Sequence, residues 1–446
     1  PSTSSTLYTG AINISSSKTL KTKAFKTGWI DSDTVTETFT FPLQLVLSKC
    51  FGGSNYDYLY DIVETSDGGY VAVGYTDSNN GDISDSHGER DGWMINADAN
   101  GIKVWSKCLG GSGNDYLQSI ITTSDGGYIG VGYTDSNNGD ISGNHGNSDG
   151  WIIKIDANGN KVWSKTFGGS NYDYLYGIAL TADEGYIAVG YTLSSNGEIS
   201  YNHGASDGWM IKINSAGEKI WSKAFGGSNY DYLYNIIETS DGGYISVGYT
   251  DSNNGDISDK HGSFDGWIIK VDADGTKLWS NSFGGTGIDY FNSLENTLDA
   301  GYVAVGFTGS NDGDISGNHG GNDGWMIKIN SAGEKIWSKT FGGSNDDYLY
   351  GIGSTADGEY VATGYAYSSD GDISYKHGSS DGWIIKVDAN GNKILSKCFG
   401  GNNSDYSMSL IITSDGSYIT AGQTRSNDGD ISGNNGNSDG WIAKIK

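Results

Sequence analysis

The sequence has only two prolines, three cysteines and two arginines among 446 residues, and nowhere a long apolar run. A membrane-spanning helix needs about eighteen or more consecutive apolar residues, so none is expected. Cys50, Cys108 and Cys398 cannot all pair within the chain, and their spacing is not that of metal ligands. They read as small buried apolar residues. No basic run interrupts a formal net charge of −27, which repels nucleic acid and anionic membrane surfaces and favours cations. The opening at Pro1, without a signal peptide, is expected of a processed chain or an excised piece, so it does not bear on location. A helical period is also missing, which sets aside helical solenoids.

What is abundant is glycine (71) and tyrosine (30), a composition of tight turns between aromatic strands. The tag FGGSNYDYLY starts at Phe51, and its relatives place a Gly-Gly pair at Gly52, Gly110, Gly168, Gly226, Gly284, Gly342 and Gly400. The interval is always 58 residues, and residues 41–446 hold seven such units. Each unit has four runs alternating apolar and polar, the period of half-buried strands. In the first unit, run A is Tyr58–Thr65, run B Tyr70–Thr76, run C Gly92–Asp98 and run D Lys103–Leu109. Asp-Gly and Asn-Gly between runs supply the positive φ that tight hairpins need.

Four antiparallel strands repeated seven times predict an all-β chain, a seven-bladed β-propeller. The seventh unit ends after run C, and its missing run D stands at the other end as LVLSKCF, Leu45–Phe51. The ring is therefore expected to close by an N-terminal strand that completes the last blade, without a disulfide.

The repeat GGSxxDYxxxIxxTSDGGYxxxGYTxSNxGDISxxHGxxDGWxxKxDxxGxxxWxK resembles the tandem β-propeller repeats of large secreted or surface proteins of anaerobic bacteria. That resemblance covers residues 41–446 and implies fold and export more than activity. Residues 1–40 resemble the second half of a chitobiase C-terminal-type β-sandwich module, truncated here, which implies a glycan or cell-wall context.

The stretch SNNGDISDSHGERDGW (Ser78–Trp93) has the residues of an active site, yet it recurs in every unit. Acids recur at Asp82, Asp140, Glu198, Asp256, Asp314, Asp372 and Asp430, and again at Asp91, Asp149, Asp207, Asp265, Asp323, Asp381 and Asp439 before Gly-Trp. Histidines stand at His87, His145, His203, His261, His319 and His377, with Asn435 in the seventh unit. Run A is preceded by Asp57, Asp115, Asp173, Asp231, Asp289, Asp347 and Asp405. Near-copies of one environment do not differentiate an acid from a base, so this is a repeated loop.

Two readings of that loop stand open. In one, the aspartates accept loop amide hydrogen bonds and orient the histidines, a structural network comparable to that of WD-repeat propellers. In the other, oxygen ligands such as Asn79, Asp82 and Asp91, with their counterparts in other units, hold calcium, although the spacing is not that of an EF-hand. Zinc is disfavoured because each unit offers one imidazole. No cofactor is required on either reading.

The tryptophans of runs C and D read as packing between blades. Tyr56, Tyr172 and Tyr230 in the D–A loops are not repeated in every unit and are expected to be exposed, a ring-face chemistry suited to sugars. Arg90 and Arg425 both belong to B–C loops, of the first and seventh units.

The expectation is a monomeric, non-catalytic, extracellular binding or display module of a larger bacterial surface or secreted protein. Weak equivalent contacts around a ring would gain avidity on a repetitive glycan. The alternative is a protein-interaction or spacer scaffold that meets a cell-surface protein. A polysaccharide-acting enzyme stands last, because blade-specific acids or histidines near a central channel are not evident in the sequence.

Overall fold

The computed structural model describes residues 18–25, 27, 30–39 and 42–446. The chain divides into two compact units, Pro1–Gln44 and Leu45–Lys446. In the first, β1 (Lys18–Thr22) pairs antiparallel with β2 (Val35–Phe39). The reading of residues 1–40 as half of a sandwich falls largely outside the described residues.

The second unit is the propeller. It starts with β3 (Leu45–Phe51) and continues with the first blade, β4 (Asp57–Glu64), β5 (Tyr70–Thr76), β6 (Asp91–Ala97) and β7 (Lys103–Leu109). The same four strands, A to D from the inside out, recur at 58-residue offsets. The series ends with β28 (Asp405–Ile412), β29 (Tyr418–Thr424) and β30 (Asp439–Ile445). Seven four-stranded antiparallel sheets result, and the last has the order β28-β29-β30-β3. The A strands of successive blades lie side by side, and β28 adjoins β4. The closing strand fills its predicted place: Trp441 Nε1 donates to Ser48 Oγ at 3.0 Å, as Trp93 does to Ser106 within the first blade.

The core lies between blades. Val71, Val73 and Met94 of the first blade pack with Leu117, Trp151 and Ile153 of the second. The seam is sealed likewise by Ile419, Ala421 and Ile442 against Leu59, Trp93 and Ile95. The seven C-strand tryptophans are at most 1% exposed. Roughly 200 Å² of apolar area each, at about 25 cal/mol/Å², gives about 5 kcal/mol of burial per tryptophan. The D strands are the outer edges of the blades, and lysines such as Lys103 and Lys107 guard them against further strand addition.

One irregularity shapes the centre. Each A strand bulges at its fourth residue, between Leu59 and Asp61 in the first blade. There Gly74 lies so close to Tyr58 that a Cβ would stand 1.8 Å from the Tyr58 carbonyl oxygen. The bulged residue, Tyr60, turns into the central channel.

Candidate functional site

The D–A and B–C loops share one face of the ring, and the buried aspartates of the repeat build it. Asp231 opens an A strand and is fully buried. Its Oδ2 accepts hydrogen bonds from Gly227 N at 2.7 Å and Ser252 Oγ at 2.8 Å, and its Oδ1 accepts one from Thr250 Oγ1. Thr250 Oγ1 in turn accepts from Ser252 N at 3.0 Å, so the hydroxyl relays the loop amide to the carboxylate. Asp57, Asp115, Asp173, Asp289 and Asp405 repeat the arrangement. Asp347 differs because Ala366 replaces the threonine. Its Oδ1 takes Tyr367 N and Ser368 N directly, both at 3.1 Å.

The aspartate before Gly-Trp is also buried, and its Oδ2 meets the histidine. His203 N donates to Asp207 Oδ2 at 2.7 Å, and His203 Nδ1 lies 2.5 Å from the same oxygen. His145, His261, His319 and His377 approach Asp149, Asp265, Asp323 and Asp381 through Nδ1 at 2.6–3.1 Å. His87 Nδ1 is 3.8 Å from Asp91 Oδ1, although its backbone N–H still donates to Oδ2. Asn435 replaces the imidazole at Asp439. Burial raises the pKa of Asp149, Asp207 and Asp323 above the ordinary carboxylate value, against the histidine hydrogen bonds. Asp439 is pushed up to about 7 by burial, with Asp57 and Asp82 adding repulsion.

These two aspartates meet across blades rather than within one. At Gly52, Gly168, Gly226, Gly284, Gly342 and Gly400 the glycine Cα faces both carboxylates. A Cβ on Gly226 would stand 2.5 Å from Asp231 Oδ2 and 3.1 Å from Asp207 Oδ1 of the preceding blade. On Gly52 it would stand 2.7 Å from Asp57 Oδ2 and 2.8 Å from Asp439 Oδ1. Asp115 closes over Gly110 in the same way, with Asp91 as its charged neighbour. Among the described residues, Oδ1 of Asp91, Asp149, Asp207, Asp323 and Asp439 is buried and has no hydrogen-bond partner. In Asp265 and Asp381 it accepts a loop amide, from Gly262 and Gly378.

The third acid of each repeat faces outward. Asp82 Oδ2 accepts from Gly52 N at 3.2 Å, and Oδ1 pairs with Lys103 at 2.6 Å. Asp140, Glu198, Asp256, Asp314 and Asp372 pair with the equivalent lysines. Asp430 is without this ion pair because Leu45 occupies the lysine position in the closing strand. The trio Asn79, Asp82 and Asp91 is thus dispersed: Asn79 is exposed, Asp82 turns to the preceding junction, and Asp91 to the following one.

Around the channel mouth runs an aromatic crown that the sequence reading missed. Cross-strand pairs within blades alternate with contacts between blades, from Tyr58 and Tyr75 through Tyr116 and Tyr133 to Tyr365 and Tyr406. Neighbouring centroids are 4.1–5.1 Å apart in all twelve contacts. The crown is interrupted at Gln423, which pairs in register with Tyr406 and whose Oε1 is buried without a partner. The two arginines bracket the first blade. Arg90 stacks over Tyr75 at 4.4 Å and grips Asp77, while Arg425 meets Tyr58 at the seam. The signal for the crown was the Tyr after each A-strand aspartate together with the residue two before each B–C loop, which is Tyr in five units, Phe307 in the fifth and Gln423 in the seventh. Tyr56, Tyr172 and Tyr230 sit just outside it, 40%, 42% and 48% exposed. Exposed Tyr201 and Tyr375 pack edge-on against His203 and His377.

Inside the crown the channel encloses about 770 Å³ and is lined by all seven A strands. Two of its acids occur in one blade each. Asp61 stands where other blades have Ser, Gly or Asn, and Glu295 where they have Val, Ile, Ala or Gly. Burial pushes Asp61 up to about 6, although it accepts from Ser119 Oγ, Ile120 N and Ile62 N. Burial also raises Glu295, which accepts from Asn296 N.

Residues 1–39 match the family model described as Fn3 associated. No curated protein matches the sequence. Among solved structures, the WD40 domain of Neurospora crassa Pan2 is similar, with TM-score 0.50 and 8% identity over 90% of this chain and 95% of that one. The alpha-L-arabinofuranosidase of Fusarium graminearum gives 0.45 at 10% identity, covering 91% of this chain and 98% of that one. A gluconolactonase from Xanthomonas campestris gives 0.37 at 8%, covering 72% and 83%. At such identities the likeness is one of fold alone.

The expectation that the chain is not an enzyme is corrected. A propeller fold is shared by enzymes and binding modules alike, so the fold excludes neither and assigns no activity. The channel also contains the blade-specific acids, Asp61 and Glu295, that the sequence reading did not find. The repeat does not reveal them, because these positions break it.

Proposed function

We propose that the propeller is a glycan-binding module, exported and displayed as part of a larger bacterial protein, and that its loop face does the binding. The observation that carries this reading is the tyrosine crown with Tyr56, Tyr172 and Tyr230 exposed beside it. Ring faces suit the C–H surfaces of sugars, and the flanking Asn and Asp side chains of the loops suit hydroxyls. The hydrogen-bonded loop belt, in which Asp57 N donates to Ser438 O and Asp231 N to Ser206 O, keeps these rings in place before a ligand arrives. Repetition of similar weak sites around one rigid ring raises avidity on a polymer.

A glycan array probed with the full chain, once in calcium and once in chelator, tests the reading. Binding to a defined class of oligosaccharide in either condition is expected. Silence in both, with the protein folded, would turn the assignment to a protein-interaction or spacer scaffold.

A further inference from the structure

The buried carboxylate pairs at the blade junctions have a feature that the glycan reading does not use. At the junctions of Asp149, Asp207, Asp323 and Asp439 two observations coincide. The Oδ1 atom is fully buried without a hydrogen-bond partner, and it faces Oδ2 of the A-strand aspartate of the next blade over a glycine. The A-strand partner has its loop donors, whereas Oδ1 of the Gly-Trp aspartate has none. The unpartnered Oδ1 does not depend on the imidazole, since it occurs with His203 beside Asp207 and with Asn435 beside Asp439. Glycine lets both carboxylates close on the backbone, since a Cβ on Gly226 would stand 2.5 Å from Asp231 Oδ2 and 3.1 Å from Asp207 Oδ1.

We infer that each of these four junctions is a site for a hard divalent cation of the calcium class, held between the two carboxylates and bridging one blade to the next. A buried pair of like charges is unfavourable unless something of opposite charge joins it. The oxygens are the donors available: no junction offers a second imidazole, and burial keeps the Cys50 thiol near Asp439 protonated, its pKa pushed up to about 12; such donors suit calcium rather than zinc. The set differs from the trio within one loop, for Asn79 takes no part. Two carboxylates with water completing the shell make a weak site, of the class of about 0.1–1 mM found in extracellular modules. In the seam, the cation would join Asp439 of the last blade to Asp57 of the first and reinforce ring closure. The inference is independent of what the loop face binds.

The test uses the full chain, stripped with chelator, then equilibrium dialysis against radioactive calcium and thermal melts in calcium chloride or in chelator at matched ionic strength. Uptake approaching about four ions per chain is expected, with a melting temperature that climbs with calcium concentration. Asp207→Asn should remove about one ion per chain while melting in chelator no lower than the parent, because the like-charge contact is gone. Should that variant fail to fold, Asp323→Asn serves the same purpose at another junction. Absence of calcium uptake, melts that are identical in calcium and chelator, or full uptake by both variants would overturn the inference. The first two results would assign the neutralising charge to protons.

Discussion

Thr250 offers a test in which the smaller side chain should do less harm than the better-filling one. Its hydroxyl relays the Ser252 amide to Asp231. Thr250→Val puts a methyl group in the relay position. The carboxylate then loses a charge-assisted hydrogen bond, worth about 1.5–3 kcal/mol, and the buried Ser252 N–H loses its acceptor, at about 1–3 kcal/mol. Together these predict a loss of about 2.5–6 kcal/mol. Thr250→Ala leaves the space empty, and the sixth blade shows what the loop does then. With Ala366 there, Tyr367 N and Ser368 N bond Asp347 directly at 3.1 Å. The alanine variant should therefore lose little more than its methyl packing, about 1 kcal/mol. Urea denaturation followed by tryptophan fluorescence reads the difference as an order of midpoints: parent, then alanine, then valine. A valine variant as stable as the alanine one would refute the relay and, with it, the account of how the loop amides are satisfied.

Other outcomes follow from single residues. His203→Ala keeps the backbone hydrogen bond to Asp207 but loses the imidazole contact, so the melting temperature should drop by about 2 °C; an unchanged melt would show that the ring nitrogen contributes nothing there. Asp61 has a higher pKa folded, about 6, than its ordinary value, so the folded chain binds the extra proton. Its contribution is complete below about pH 4 and is lost as pH rises through about 6. Asp61→Asn, which copies Asn235 of the fourth blade, should flatten the fall in stability over that range, and a slope identical to the parent's would contradict the assignment. A chain beginning at Gly52 lacks β3 and exposes the edge of β30. It should melt lower and self-associate in light scattering, and a monomer of parental stability would mean that the closing strand is dispensable.

The period of 58 residues made the architecture legible, because strands, turns and the missing D strand of the seventh unit all follow from it. The site was legible only in part. A repeat aligns Asp91 with Asp149 and Asp57 with Asp115, but it does not say that Asp91 meets Asp115 while Asp439 meets Asp57. That pairing depends on how adjacent blades dock, a long-range matter of packing. The crown was hidden for a similar reason: Tyr75 and Tyr116 come from different blades and touch only once the ring is formed. Asp61 and Glu295 needed the bulge of the A strand, which sets what the channel sees and which hydrophobic alternation does not reveal.

The most direct measurement of the central claim is retardation of the full chain in gels cast with polysaccharides of different backbone chemistry. The parent is to be compared with the triple variant Tyr56→Ala, Tyr172→Ala, Tyr230→Ala. These rings are substantially exposed, so the variant should melt close to the parent. The account predicts that the parent is slowed by at least one polysaccharide and that the triple variant migrates there as freely as in a gel without sugar. Equal retardation of both proteins would contradict the claim that these loop tyrosines bind the glycan.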